Sequence, residues 1–231
     1  MKKAILFMFM HVALTASAQK DVTKFLGIPV DGLKSEMKNK LKAKGFTYDI
    51  QNDCFEGEFN GREVNIFIGT NNNKVWRIMV CDKTPCGEGE IKIRFNHLCR
   101  QFEKNQKYVA LSNYTIPDEE DISYEMIVHN KRYEASYCQY PDTSLIDKSA
   151  LQNKLQEAIL KEYTQEDIAN PEKQQEIMEK VIEFSKKETE DLFFELTKKK
   201  LVWFMISEMY RMYYITIFYD NEYNHSDGED L

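Results

Sequence analysis

An Asn-Gly dipeptide at Asn60 and Gly61, between two segments of alternating polarity, is the feature that most constrains the fold of this sequence. Asn-Gly favours the two-residue turn of a β-hairpin, because both residues tolerate a positive φ. The turn therefore predicts that the segment Cys54–Phe59 pairs with the segment Arg62–Ile68. The pairs in this register are Phe59 with Arg62, Gly57 with Val64 and Phe55 with Ile66, and the shared inner face carries Val64, Ile66 and Ile68.

A helix before this hairpin and a third strand after it complete a compact α+β unit. The helix repeats an apolar residue every four positions, and Gly45 ends it. These apolar positions are Leu33, Met37 and Leu41. The third strand covers residues 75–80, and its expected inward residues are Trp76, Ile78 and Val80.

The same order of elements begins again in the second half of the chain. An amphipathic helix has Ile91, Phe95, Leu98 and Phe102 on its apolar side. Alternation then predicts one strand over Ser123–Val128 and a second over Arg132–Gln139, joined by a turn at His129-Asn130-Lys131. The third strand of this second unit is missing at this point of the sequence.

A block of helical periodicity over residues 145–197 separates that hairpin from the last strands, Leu201–Ser207 and Tyr213–Tyr219. Asn170-Pro171 is expected to begin the second helix of the block. We therefore predict an α+β protein of two helix-plus-antiparallel-meander units, with a helical hairpin inserted in the second. The predicted boundaries are 1–18 for a leader, 19–88 for the first unit, 89–231 for the second unit and about 144–198 for the insertion.

The N-terminus has the three parts of a secretory signal peptide. Lys2 and Lys3 are followed by a short apolar run, and Ala16-Ser17-Ala18 predicts cleavage before Gln19. No cysteine follows the apolar run directly, and no later run of about 18 apolar residues occurs. We expect a periplasmic or secreted protein without a lipid anchor or a transmembrane segment.

Five cysteines, Cys54, Cys81, Cys86, Cys99 and Cys138, are an odd number for an oxidising compartment. The turn-forming residues between Cys81 and Cys86 suggest a disulfide between these two, although the sequence leaves the pairing open. Cys99 lies on the apolar side of the second-half helix and is expected to be a buried thiol. The spacing of the cysteines does not match a zinc site.

Several stretches of the chain resemble a family of secreted Bacteroidales proteins of unknown function. They are Phe25–Gly32, the helix end Lys44–Phe46, Cys54–Arg62, Asn96–Glu103 and Tyr219–Leu231. The helix-plus-meander order also resembles the fold of the β-barrel-assembly lipoprotein BamE and of the β-lactamase inhibitor protein. That resemblance implies a protein-binding role, whereas the missing lipid-attachment cysteine departs from BamE.

No catalytic or cofactor motif was found in the sequence. The mature histidines, His97, His129 and His225, form no H-E-x-x-H motif, and neither a nucleophile elbow nor a phosphate-binding glycine loop occurs. A nucleophile pair of His97 with Cys99 or Cys86 would lack a third, orienting group. We therefore assign no catalytic, cofactor-binding or metal-binding residues, expect no cofactor, and expect the protein not to be an enzyme.

Charge patterns suggest two further partners. The formal net charge of −7 argues against nucleic acid. A lysine-rich first helix could contact an anionic polymer or lipid, and an acidic C-terminal tail could bind Ca²⁺, although a solvated surface is the commoner explanation of both patterns. The lysines are Lys34, Lys38, Lys40, Lys42 and Lys44, and the tail residues are Asp220, Asn221, Glu222, Asn224, Asp227, Glu229 and Asp230.

Aromatic residues make up 13% of the chain, and its tyrosines gather in the second half. Tyr133, Tyr137, Tyr213, Tyr219 and Tyr223 are more rings than a small sheet must bury, so they predict an exposed aromatic face. Our leading hypothesis is a non-enzymatic binding or assembly module that contacts protein or glycan through this face or through the helical insertion. The alternatives are an envelope-associated structural or regulatory protein on an anionic surface, and an enzyme of unrecognised class.

Overall fold

A computed structural model describes residues 20–145 and 147–226 of the protein. Its strands are β1 (Lys24–Phe25), β2 (Ile28–Pro29), β3 (Thr47–Asp49), β4 (Cys54–Phe59), β5 (Arg62–Asn71), β6 (Lys74–Asp82), β7 (Tyr108–Ala110), β8 (Glu134–Gln139), β9 (Leu201–Met209) and β10 (Met212–Asp220). Its helices are α1 (Lys34–Ala43), α2 (Glu88–Lys104), α3 (Ile122–Val128), α4 (Lys148–Glu162), α5 (Gln165–Ala169) and α6 (Gln174–Thr197). The fold is α+β, as the sequence predicts.

Eight strands form one antiparallel sheet in the order β3-β4-β5-β6-β10-β9-β8-β7, and β1 pairs separately with β2. Four of the eight strands follow α1, and the other four follow α2. The last strand of each set, β6 and β10, pair with each other at the centre of the sheet. Both sets therefore contribute to a single sheet that runs through the whole protein.

The hairpin at Asn60-Gly61 has the predicted register, with Phe55 opposite Ile66. Asn60 and Gly61 adopt φ values of 52° and 72°, as a two-residue turn of this kind requires. Val64, Ile66 and Ile68 are buried on one face. Local turn chemistry and the period of two are enough to predict this part of the fold.

One face of the sheet packs against α1 and α2 and forms the main core. The helices contribute Met37, Leu41, Ile91, Phe95, Leu98, Cys99 and Phe102 to that core. A buried ion pair also attaches α2 to the sheet: Arg94 donates from Nε and Nη2 to the two carboxylate oxygens of Asp82, at 2.6 and 2.5 Å. The predicted apolar sides of both helices are confirmed, except that Leu33 precedes α1 and is exposed.

The prediction of a strand over Ser123–Val128 is wrong, because residues 122–128 form the helix α3. Asp121 caps this helix by accepting a hydrogen bond from the Tyr124 amide. Glu88, at the start of α2, accepts from the Ile122 amide and from the Ser123 hydroxyl. β8 pairs instead with β7 and β9, so contacts distant in sequence decide the conformation of this segment.

The expected inward position of Trp76 is also wrong. The pairing of β5 with β6 shifts between Gly69 and Thr70, and the shift buries Val75 in the core in place of Trp76. Trp76 instead packs edge-to-face against His225, with ring centroids 4.8 Å apart. A β-bulge reverses the side on which residues beyond it point, and the alternation in the sequence does not reveal it.

The inserted segment between β8 and β9 contains α4, α5 and α6. Asn170-Pro171 ends α5 and leads into a turn, so α6 begins at Gln174, three residues after the expected start. A buried ion pair of 2.7 Å between Lys200 Nζ and Asp21 Oδ1 connects the end of the insertion to the N-terminal segment. The Asp142 amide donates to the other oxygen of Asp21, which anchors the beginning of the insertion to the same residue.

The predicted leader and its cleavage site at Ala18-Gln19 lie outside the described residues. Within the described residues, none of the helices has the length and apolar character that crossing a membrane requires.

Candidate functional site

The predicted tyrosine face is not exposed. Tyr133, Tyr137, Tyr213 and Tyr219 are at most 5% exposed and belong to the main core. Burial raises the pKa of Tyr137, whose ring stacks on Phe102 at a centroid distance of 4.7 Å. Only Tyr223, beyond the end of β10, keeps part of its surface. These tyrosines are buried because α2 and α3 cover the face of the sheet to which they point.

The opposite face of the sheet carries a different set of large side chains, which we name the apolar strip. In this set Phe67 pairs with Met79, Met79 with Phe218, and Phe218 with Trp203, so the strip crosses β5, β6, β10 and β9. The four side chains are partly exposed, and none belongs to the buried core. Apolar side chains aligned across four strands form one continuous surface.

Stacking and an ion pair hold one end of the apolar strip in place. The rings of Trp203 and Phe218 are stacked, with centroids 4.0 Å apart and planes inclined by 14°. Asp220 accepts from Arg77 Nε and Nη2 at 2.6 Å each, and from Trp203 Nε1 at 2.9 Å. The Arg77 guanidinium also lies 4.9 Å from the Phe218 ring centroid. The rings are therefore ordered before any partner arrives.

Acidic residues surround one edge of the same face, and we name this group the acidic corner. It consists of Asp49, Glu56, Glu58 and Glu63 on β3, β4 and β5. Glu58 lies directly opposite Glu63, and in the described residues neither forms an ion pair. Lys83 binds Glu56 at 2.7 Å and neutralises part of the charge. The acidic corner keeps a net negative charge beside an apolar surface.

All five cysteines are free, so the suggested Cys81–Cys86 disulfide is wrong. Cys81 lies next to the core residue Val80 on β6 and therefore points to the opposite face of the sheet, the face of the apolar strip, where it contacts Thr216. Cys86 is buried in the main core on the other side. Cys99 is buried as predicted, and burial raises its thiol pKa to about 11.

The histidines are not brought together with the cysteines. His97 is exposed on α2, whereas Cys99 and Cys86 point into the core. His129, directly after α3, is exposed and contacts Glu125 of that helix at 2.9 Å, and His225 contacts Trp76. In the part of the chain that the structure describes, no group of three His, Cys, Asp or Glu side chains could hold a metal ion.

An aspartate binds two of the five lysines that lie on α1 or directly after it. Asp53 binds Lys34 and Lys38 at 2.7 and 2.8 Å, and it accepts a hydrogen bond from Tyr48. These contacts hold the pKa of Asp53 well below its usual range. Lys40, Lys42 and Lys44 remain exposed at the end of the helix.

The beginning of the tail is buried structure and not a solvated acidic terminus. Asp220 belongs to the ion pair with Arg77, and Asn221 donates to the Val30 carbonyl oxygen. Asn224 donates to Asp31 and to the Val75 carbonyl oxygen. Asp227, Glu229 and Asp230 lie outside the described residues.

The residues of the apolar strip were not predicted from the sequence. Alternation within β9 and β10 places Trp203 and Phe218 opposite the core residues, and this is the signal that could have indicated them. Their alignment with Phe67 and Met79 depends on the pairing of β6 with β10, which the sequence does not show. Comparison of the chain with protein-family models, with curated proteins and with solved structures gives no significant match.

Proposed function

We propose that the protein is a non-enzymatic binding module, and that the apolar strip receives a segment of a polypeptide partner. The observation that carries the proposal is the pre-stacked Trp203–Phe218 pair beside Arg77. Trp, Phe, Met and Arg are enriched at protein interfaces, and Trp and Arg in particular dominate binding energies there. Because Asp220 already holds the Trp203 ring and Phe218 stacks on that ring, binding costs little side-chain entropy.

The charge of the surroundings indicates the chemistry of the partner. The acidic corner has four carboxylates, and the cation that pairs with one of them is Lys83. A partner that lays an apolar side chain on the strip and a Lys or Arg near Glu58 and Glu63 would complement both features. We therefore propose a basic, partly apolar polypeptide as the partner. The predicted leader would deliver the module to the periplasm or the exterior, where this partner would be met.

Capture by purified protein tests this function. The wild-type protein and the variant Met79→Glu are immobilised, and the polypeptides retained from the native envelope are identified. The substitution places a charge in the middle of the strip, so the true partner should be lost, at a cost of about 2 kcal/mol or more in binding free energy. Raising the salt concentration should weaken the wild-type binding as well, because the acidic corner is exposed.

The matched control is Ile127→Glu, which adds the same charge at an exposed apolar residue of α3. This variant should retain the same partner as the wild type. Retention of the same polypeptides by all three proteins would contradict the proposal, as would retention of a glycan alone or of nothing above background. Unchanged far-ultraviolet circular dichroism of both variants shows that the fold is intact.

A further inference from the structure

A surface cavity between the Asn60-Gly61 turn and α2 is lined by a group of basic side chains. Its volume is about 380 Å³. The lining residues are Asn60, Gly61, Arg62, Glu90, Ile93, Arg94, His97 and Arg100. From this arrangement we infer a second binding site, independent of the apolar strip, whose ligand carries a phosphate monoester group.

The charge of the lining is the first argument. The lining contains three guanidinium groups and one carboxylate, that of Glu90. Its net charge is therefore positive, although the whole chain is acidic. Asp82 lies behind Arg94 on the core side, and counting it still leaves a net positive charge. A phosphate monoester carries a charge between about −1.5 and −2 at neutral pH. It therefore matches this cavity better than a neutral ligand does.

The way in which the arginines are held is the second argument. Arg94 is bound through two nitrogens to Asp82, and Arg62 is bound through Nη2 to Glu90 at 2.6 Å. A guanidinium has five N–H donors, so each keeps free donors after these contacts. Both arginines line the same cavity and are held there by these carboxylates. Arg100 and His97 have no hydrogen-bonding or ionic partner among the described residues and add further donors.

The number of donors distinguishes phosphate from other anions. A phosphate monoester offers three terminal oxygens, and three guanidinium groups can each donate to one of them. A carboxylate has two oxygens and a single charge.

α2 packs against the face of the sheet opposite to the apolar strip, so a ligand in this cavity does not compete with a partner on the strip. Failure of one proposal therefore leaves the other standing.

Titration of the purified protein with inorganic phosphate, at constant ionic strength, tests the site. The backbone amide resonances of Gly61, Arg62 and Arg100 should shift and saturate. Arg100→Gln should weaken binding by at least about fivefold, since it removes one charge-assisted contact from an exposed side chain. Arg62→Gln should weaken it similarly, whereas Arg211→Gln, at the exposed tip of the β9–β10 hairpin, should leave it unchanged.

Three further ligands define the chemistry. Glucose 1-phosphate and vesicles containing phosphatidic acid represent a soluble phosphate monoester and a lipid headgroup, and binding of either one through Arg100 supports the site and identifies the source. Malonate, a dianion without phosphate, should bind more weakly than phosphate. Shifts that do not saturate, equal binding of malonate, or phosphate binding that survives both arginine substitutions would overturn the inference.

Discussion

Arg77 and Asp220 form a bidentate ion pair across β6 and β10, the two strands that join the halves of the sheet. The side chain of Asp220 is only 3% exposed and that of Arg77 is 21% exposed. Both groups lose much of their hydration on burial. Two short hydrogen bonds between them and a third from Trp203 compensate for the cost of that desolvation. The pair therefore stabilises the centre of the sheet and orders the apolar strip at the same time.

Removing the Arg77 side chain should lower the free energy of unfolding strongly. Arg77→Ala leaves the Asp220 carboxylate buried with Trp203 as its remaining side-chain donor, and we expect a loss of about 3 kcal/mol in the free energy of unfolding. Urea denaturation measures it. Arg132→Ala is the control, because its pair with Glu134 lies on the same face but is 63% and 45% exposed and should be worth less than about 1 kcal/mol. Equal losses would contradict this account.

Asp53 should make stability depend on pH in the acid range. Its contacts with Lys34, Lys38 and Tyr48 lower its pKa in the folded protein. The stabilisation is therefore complete above the unfolded pKa of about 3.9 and disappears as the pH falls through the folded value. Asp53→Asn should destabilise the protein by about 1 kcal/mol at neutral pH, a modest value because the carboxylate is 52% exposed.

Thermal unfolding of the wild type and Asp53→Asn at a series of pH values measures this effect. The difference between the two proteins should be constant from neutral pH to about 5 and should shrink below about 4. Asn is a suitable replacement, because residue 53 has a φ of 47° and Asn tolerates that conformation. A difference that persists or grows in acid would refute the assignment to the carboxylate.

The thiols should react according to their burial. The purified protein, denatured without a reductant, should show all five cysteines as free thiols. In the native protein only Cys81 is partly exposed, and burial raises its pKa, so it should react slowly and the other four hardly at all. Thiol titration with denaturant measures the total number of free thiols, and titration without denaturant measures the number that react in the native protein. Fewer than five thiols in denaturant would reveal a disulfide that the structure does not contain.

Substitutions in the turn of the β9–β10 hairpin should stabilise the protein. Its turn residues, Tyr210 and Arg211, adopt φ values of 54° and 62°, which Asn-Gly adopts more readily. Tyr210 is 91% exposed, so replacing it loses little packing. The double variant Tyr210→Asn/Arg211→Gly should gain about 1 kcal/mol in the free energy of unfolding, measured by urea denaturation.

The other tight turn provides the opposite control for that experiment. Gly61 adopts a φ of 72° in the Asn60-Gly61 turn, and Gly61→Ala should lose about 1 kcal/mol there. If the Tyr210→Asn/Arg211→Gly variant is less stable than the wild type, or if Gly61→Ala is more stable, turn strain does not explain how the two turns affect the free energy of unfolding. The strained turn would then require a stabilising contact that the described residues do not account for.

Features that depend on neighbours in the sequence were predictable. The hairpin register follows from Asn60-Gly61, and the apolar side of α2 follows from the spacing of Ile91, Phe95 and Leu98. Features that depend on distant contacts were not. Ser123–Val128 alternates like a strand but is helical, because Glu88 binds its first turn, and the expected tyrosine face is covered by helices.

Local patterns in the sequence were enough to predict the α+β class, the Asn60-Gly61 hairpin and the apolar sides of α1 and α2, because turn residues and hydrophobic periods act over a few residues. The pairing of strands that are distant in sequence was visible only in the tertiary structure. Trp203 and Phe218 lie more than 120 residues from Met79, and they form one surface with it because β6 pairs with β10. Arg62 joins Arg94 and Arg100 for the same kind of reason, since the hairpin turn packs on α2. Long-range pairing is decided by the free energy of the whole core, which local sequence patterns do not contain.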